Sequence, residues 1–336
     1  MAPASVDEYG FALVESLINP KSGLARSRSC DVATTVYVNA LAVIALVHEG
    51  RYEAAERILR LFARHYETGE SDFHGFPHVW HPETGIPDPT SIPWELEAAF
   101  VLMSLGYYRG ATGNGGSFRR LEDGLSSWLV HRTFAEEHLV AEASAAMYAA
   151  LGPFGALKPV AAARELLHAS LFTPEKISSL DYAHVLDHVT CGALACGDVS
   201  GFRFLDGFKR SARSPRQDLP EFNGFSSIAG GNSPGIESTV QLFLAWTLFR
   251  ERVACDLSFL DRQLRSIAVS SPGSPGAVGL PRLLPWYGPE GGEDMQPALE
   301  PTCMYLFARW QLNPYAPGPP LHAPEYRTKE ETASKS

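Results

Sequence analysis

An all-α chain arranged as an (α/α)6 toroid is the fold class this sequence predicts, and three observations predict it. Apolar residues recur at helical spacing over most of the length. Segments apolar nearly all round alternate with amphipathic ones, as an inner ring of helices shielded by an outer ring requires. The alternation runs through about six pairs, with a mean repeat of about 56 residues, longer than solenoid repeats usually are. A solenoid is the alternative fold, although the pairs lack its strict self-similarity.

Taken in order, the periodicity places helices near 5–18, 32–48, 52–67, 93–110, 116–131, 138–150, 156–169, 182–197, 200–212, 236–252, 256–268 and 298–311, with almost no strand. Ala40-Leu-Ala-Val-Ile-Ala-Leu-Val47 and Ala98-Ala-Phe-Val-Leu-Met-Ser-Leu105 read as buried helices. Between them, Arg51-Tyr-Glu-Ala-Ala-Glu-Arg-Ile-Leu-Arg-Leu-Phe-Ala-Arg64 carries charge on one face and aliphatics on the other. Three long connections, Gly69 to Ile92, Ser214 to Pro234 and Ser270 to Pro297, are rich in Gly, Pro and aromatics and too long for plain connectors. Each precedes an inner helix, so the three are expected at one rim, walling one pocket. Residues 1–320 are expected to form a single barrel domain and 321–336 a polar tail.

With 336 residues, 45% hydrophobic and 20% charged, the chain can bury a large core without a metal or disulfide. A net charge of −10 and no Lys/Arg cluster argue against a nucleic-acid partner. The N-terminus lacks a secretory signal and no stretch reaches a membrane span, so the expected location is cytoplasmic. Cys30, Cys191, Cys196, Cys255 and Cys303 have no zinc-type spacing and fit reduced thiols. No metal or other cofactor is expected. The expected partner is a small-molecule substrate, with homo-oligomerisation left open.

Acidic residues fall at the inner-helix starts: Asp31, Glu95 and Glu97, Glu142, Asp181 and Asp187, Glu237, and Glu300. Helix starts attract carboxylates electrostatically, and Asp181 reads as such a cap. Glu237 stands between a Gly/Pro loop and an apolar helix, a mounting that fixes a carboxylate while partial desolvation tunes it. Asp187 lies deeper in its helix, where capping no longer accounts for it. The expected catalytic set is therefore Glu237 as proton donor, Asp187 as base, and Asp31 or Glu95 assisting. His74, His78 and His81 share one loop whose Pro and Gly favour an excursion over the pocket mouth rather than a metal site. His184 and His188 share a helix face beside Asp187. The rim loops hold Phe73, Phe76, Trp80, Trp94, Phe222, Phe225, Trp286 and Tyr287, which can stack on a sugar, shield a cation or fill the barrel mouth. Expected substrate contacts are Tyr37, His78, Trp80, His81, Trp94, His184, His188, Cys191, Phe225, Gln241, Trp286 and Tyr287.

Tyr37-Val-Asn-Ala-Leu-Ala-Val-Ile-Ala-Leu46, Tyr108-Arg-Gly-Ala-Thr-Gly-Asn114, Asp187-His-Val-Thr-Cys-Gly-Ala-Leu-Ala195, Gly235-Ile-Glu-Ser-Thr-Val-Gln241 and Asn313-Pro-Tyr315 resemble the six-hairpin glycosidase-like superfamily, in order along most of the chain. The resemblance implies the (α/α)6 fold and an acid–base site holding Glu237 and Asp187. Val38, Ala98 and Cys191 depart from it, standing where that family carries polar or Trp residues. A site with those replacements suits a less polar ligand. Three functions follow. The first is a glycosidase-like or lyase-like enzyme with carboxyls roughly 6.5–9.5 Å apart if it inverts. The others are a metal-free terpenoid or natural-product cyclase, isomerase or dehydratase, and a non-catalytic binding protein.

Overall fold

The computed structural model describes residues 5–69, 73–114, 116–135, 141–152, 185–199, 202, 210–213, 221–225, 234–253, 255–272, 274–281 and 296–316. Ten helices stand among the described residues: α1 (Val6–Ser16), α2 (Val36–His48), α3 (Tyr52–Thr68), α4 (Glu95–Thr112), α5 (Arg119–Ala135), α6 (Ala141–Leu151), α7 (Val185–Cys196), α8 (Ile236–Leu248), α9 (Leu257–Ser266) and α10 (Leu299–Trp310). No helix among them is long and apolar enough to cross a membrane.

The two helix types expected from pattern pack as their patterns demand. In α2, Val38 through Val47 are all buried, and Thr35 caps the start by accepting from the Val38 N–H at 3.1 Å. In α4, every residue from Glu95 to Tyr108 is buried, and the helix stops at Gly113, whose φ of +68° supplies the left-handed C-cap. By contrast α3 buries only Ala55, Ile58, Leu59, Phe62 and Tyr66, spaced three and four apart along one stripe. α9 buries Leu260 and Leu264, with Asp256 as N-cap.

Neighbouring buried helices touch in succession: α2 with α4, α4 with α6, α6 with α7, α7 with α8, α8 with α10, and α10 with α2 again. The amphipathic helices lie against this series, α3 on α2 and α4, α5 on α4 and α6, α9 on α8, and α1 on α10 and α2.

Two of the buried helices are held at their starts by the same device. Thr239, fourth in α8, donates to Gly235 O at 2.6 Å and accepts from the Phe225 N–H at 2.9 Å. Thr302, fourth in α10, donates to Ala298 O at 2.6 Å and accepts from the Leu280 N–H at 3.0 Å. Both hydroxyls come so close to the incoming strand that a Cβ on Gly224 or Gly279 would stand 2.6 Å from them. In α2 the fourth residue is Asn39, which accepts from the Ala25 N–H at 2.8 Å and donates to Thr35 O and Thr34 Oγ1. These side chains satisfy buried backbone groups that the loops would otherwise leave open.

The near absence of strand expected from sequence is corrected. Three short antiparallel sheets occur among the described residues: β1 (Thr34–Thr35), β2 (Val79–His81) and β3 (Ile86–Pro87); β4 (Arg210–Arg213) and β5 (Phe222–Phe225); β6 (Val269–Ser270) and β7 (Val278–Gly279). Strands of two to four residues carry no period-2 signal long enough to read. The helix expected over 200–212 is corrected at its end, because Arg210–Arg213 pairs with Phe222–Phe225 and gives each backbone a ladder partner. The helix expected over 156–169 and the tail 321–336 lie outside the described residues.

Candidate functional site

The starts of α2 and α4 meet the first sheet, and that junction places a histidine over a buried acid. The Val36 N–H donates to His78 O at 3.3 Å, and the His78 N–H donates to Ile92 O at 3.4 Å. His78 is thereby pinned between the chain entering α2 and the chain entering α4. Its Nδ1 contacts Oε1 of Glu97, third residue of α4. The Glu97 side chain is fully enclosed, whereas that of His78 is 38% exposed. Burial pushes the Glu97 carboxyl above its usual range, opposed by the bond to His78, the charge of His78 and the Tyr37 backbone N–H. Oε2 of Glu97 is buried without a hydrogen-bond partner.

With the carboxyl ionised, Nδ1 of His78 is the donor to it, and Nε2 is then the ring nitrogen that takes up a proton. A buried acid in the third position of an apolar helix thus serves an imidazole that reaches toward solvent. Around them stand Trp94, edge-on to His78 at 5.9 Å, and half-buried Tyr37, edge-on to Phe100 at 4.6 Å. Below Phe100 lies Tyr315, at 5.2 Å between rings, and its hydroxyl meets Cys191 Sγ at 3.0 Å.

The other expected residues are distributed as follows. Glu237 is half-buried in the first turn of α8, after Gly235, whose lack of a side chain leaves that helix start uncapped. One turn on, Gln241 faces Thr190 of α7 at 3.4 Å. Asp31 is held by Arg28, with contacts of 2.8 and 3.0 Å to one carboxylate oxygen. Glu95 is buried and bound by Nε of Arg132 at 2.7 Å, and the same guanidinium lies over Trp128 at 5.7 Å, so this acid fastens α4 to α5. Trp80 is a core residue at 1% exposure, donating to Pro77 O and packed on Phe62 and His65. The pleat of β2 then turns His81 to solvent, opposite Ile86. Phe225 is buried against Trp246. Asp187 and His188 belong to α7, their side chains lying outside the described residues together with His184, Trp286 and Tyr287.

Sequence reasoning marks Glu97 as one acid among several and misses its partnership with His78. The available signal is its position between Leu96 and Ala98-Ala99, where an all-buried helix leaves a carboxyl no route to water. Tyr315 is likewise absent from the contacts that the sequence suggests. Among the described residues, no group of three or more His, Cys, Asp and Glu side chains is arranged to hold a metal ion.

Solved structures share this architecture over nearly their whole length. A glutamate-to-alanine variant of a glycosidase, in complex with glucose, superposes with a TM-score of 0.63 at 12% identity, covering 94% of this chain and 97% of that one. The chain has a glycosidase-like fold. An α-amylase from Clostridium perfringens gives a TM-score of 0.61 at 10% identity over 91% and 98%. A sugar epimerase from a ruminal bacterium gives 0.52 at 10% identity over 90% and 96%. No family model matches the sequence, and no curated protein matches it.

Proposed function

We propose that this chain is an acid–base enzyme acting on a carbohydrate, built as a single (α/α)6 double ring with its site at the N-terminal ends of the inner helices. The closed succession of contacts from α2 around to α10 and back supports the ring. The observation that carries the function is the His78–Glu97 pair, a proton carrier half open to solvent and braced by a carboxyl with no water contact. A neutral-pH proton shuttle needs both features, access for the imidazole and a fixed partner that sets its tautomer. Trp94 and Tyr37 supply aromatic faces at the same mouth.

In the hydrolytic form of this reading, Glu237 protonates the leaving glycosidic oxygen and Asp187 activates water. The solved neighbours that are glycosidases favour this form. A second form, isomerisation next to a sugar carbonyl, is favoured by His78 itself. Removing a carbon-bound proton needs a base held within reach of that proton, and His78 presents a half-open imidazole from a fixed mount. The cyclase alternative gains nothing from the fold's neighbours.

The test is a panel of aldoses and short glycosides incubated with the enzyme in D2O and followed by NMR. New reducing ends mark hydrolysis, and deuterium incorporated at carbon marks isomerisation. His78→Asn should lower the turnover found by about 10²–10⁴-fold, the usual contribution of a positioned acid–base group. Full activity in that variant would remove His78 from the mechanism, and Glu237→Gln separates the two forms because only hydrolysis needs its proton.

A further inference from the structure

We propose that Ile92 is a specificity-determining residue, an apolar step beside His78 that receives a neutral hydrophobic group attached to the sugar. The inference rests on the carbohydrate reading proposed above and names the kind of sugar derivative taken.

Register puts Ile92 next to the histidine. The antiparallel bridge between Pro77 and Pro93 sets Ile92 directly across from His78, and the pairing of Thr35 with Val79 sets Val36 across from it on the other side. Both neighbours bond to the His78 backbone, Ile92 O by accepting and the Val36 N–H by donating. Residues directly opposed in an antiparallel pair share a face, and so do residues two apart along a strand. Val36, His78 and Ile92 therefore form one row on the face that carries Trp80. Along that row exposure rises from none at Val36, through the half-open His78, to 80% at Ile92. Trp94, two residues beyond Ile92, comes edge-on to His78 at 5.9 Å. The imidazole thus stands beside an indole and an open aliphatic side chain.

An exposed aliphatic is ordinary at a protein surface, and Ile92 is singled out by its place. Ile86 supplies the contrast. It is 59% exposed in the same sheet, but it pairs with His81, one residue out of step with Trp80, so the pleat turns it to the opposite face.

The charges flanking this row are already committed. Arg132 binds Glu95, the residue after Trp94, and Arg28 binds Asp31 ahead of β1. An anionic sugar would have to compete with those carboxylates for either guanidinium. A neutral apolar group instead covers Ile92 and the edge of Trp94, gaining about fourfold in affinity for each methylene fully buried. Because Ile92 adjoins the proton carrier, that group is attached close to the reacting carbon.

The test uses n-alkyl glucosides of both anomers, from methyl to octyl and below their micelle concentrations. They are titrated into the protein by calorimetry and then assayed for released or altered sugar. Affinity should rise about two- to fourfold per methylene over the first several carbons. Ile92→Asn changes an exposed side chain and keeps the backbone bonds, so the variant should fold and lose that slope. Ile86→Asn should retain it, and glucose 6-phosphate should bind the wild type no better than glucose does. A slope absent from the wild type, kept in Ile92→Asn or lost equally in Ile86→Asn overturns the inference, as does tighter binding of the phosphate than of octyl glucoside. The expected slopes without turnover of any sugar leave the apolar step standing and sink the carbohydrate enzyme, whereas turnover without a slope does the reverse.

Discussion

Replacing Glu97 with Gln should separate stability from activity at one atom. The wild-type carboxyl is fully enclosed and its pKa lies above the ordinary 4.5 because burial penalises the anion. A carboxyl raised in this way contributes its stability below its unfolded pKa and loses it as pH climbs through the folded one, since the unfolded state releases the proton first. Gln keeps the shape and can still accept from Nδ1 of His78, trading a charge-assisted bond for a neutral one at a cost of about 1 kcal/mol. Relief of the buried anion offsets that cost, because every tenfold by which burial weakens the acid is worth about 1.4 kcal/mol. The usual penalty of about 3–5 kcal/mol for breaking a buried pair does not apply, because His78 is 38% exposed and can stay neutral. The net change at pH 7 is therefore about 1 kcal/mol or less, which moves Tm by about 3 °C or less for a chain this size. Activity should meanwhile fall by about 10²-fold or more, because a neutral amide no longer stabilises the imidazolium that forms when His78 takes up a proton. Urea denaturation of both proteins from pH 4.5 to 8 should show wild-type stability declining relative to Glu97→Gln as pH rises. A wild type that instead gains on the variant with rising pH, or a variant with undiminished turnover, would refute the reasoning.

Two further substitutions probe the scaffold that holds the site. Trp80→Ala should cost about 3–5 kcal/mol in chemical denaturation, because the indole is enclosed by Phe62 and His65 and its N–H satisfies Pro77 O; a change under about 1 kcal/mol would contradict a core role. Thr239→Val should cost about 1–3 kcal/mol by stranding the buried Phe225 N–H, with faster amide exchange at Phe225 as the local readout. Unchanged exchange there would mean the strand is held by other groups.

How much of this was legible depends on the range of the forces involved. The burial of α2 and α4 was readable because one helix turn brings residues three and four apart onto the same face, and no face of either is polar enough to meet water. The burial of Glu97 was readable for the same reason. Its partner was not: His78 sits in a loop whose path is set by backbone bonds to Val36 and Ile92, and such bonds leave no periodic trace. Trp80 and Trp94 look alike as loop aromatics, yet the pleat of β2 sends one into the core while the N-cap position leaves the other beside His78. The short strands escaped notice because pairing a few residues depends on where the partner lies.

By itself, the sequence determined the helical class, the sorting of buried from amphipathic helices and the presence of acids at the helix starts, all of which follow from local periodicity and local electrostatics. Only the tertiary structure decided which acids are spent on Arg28 and Arg132, which one braces a histidine, and that Tyr315 meets Cys191 across 124 residues of chain. Those outcomes depend on contacts between segments distant in sequence, whose geometry exists only once the helices have packed.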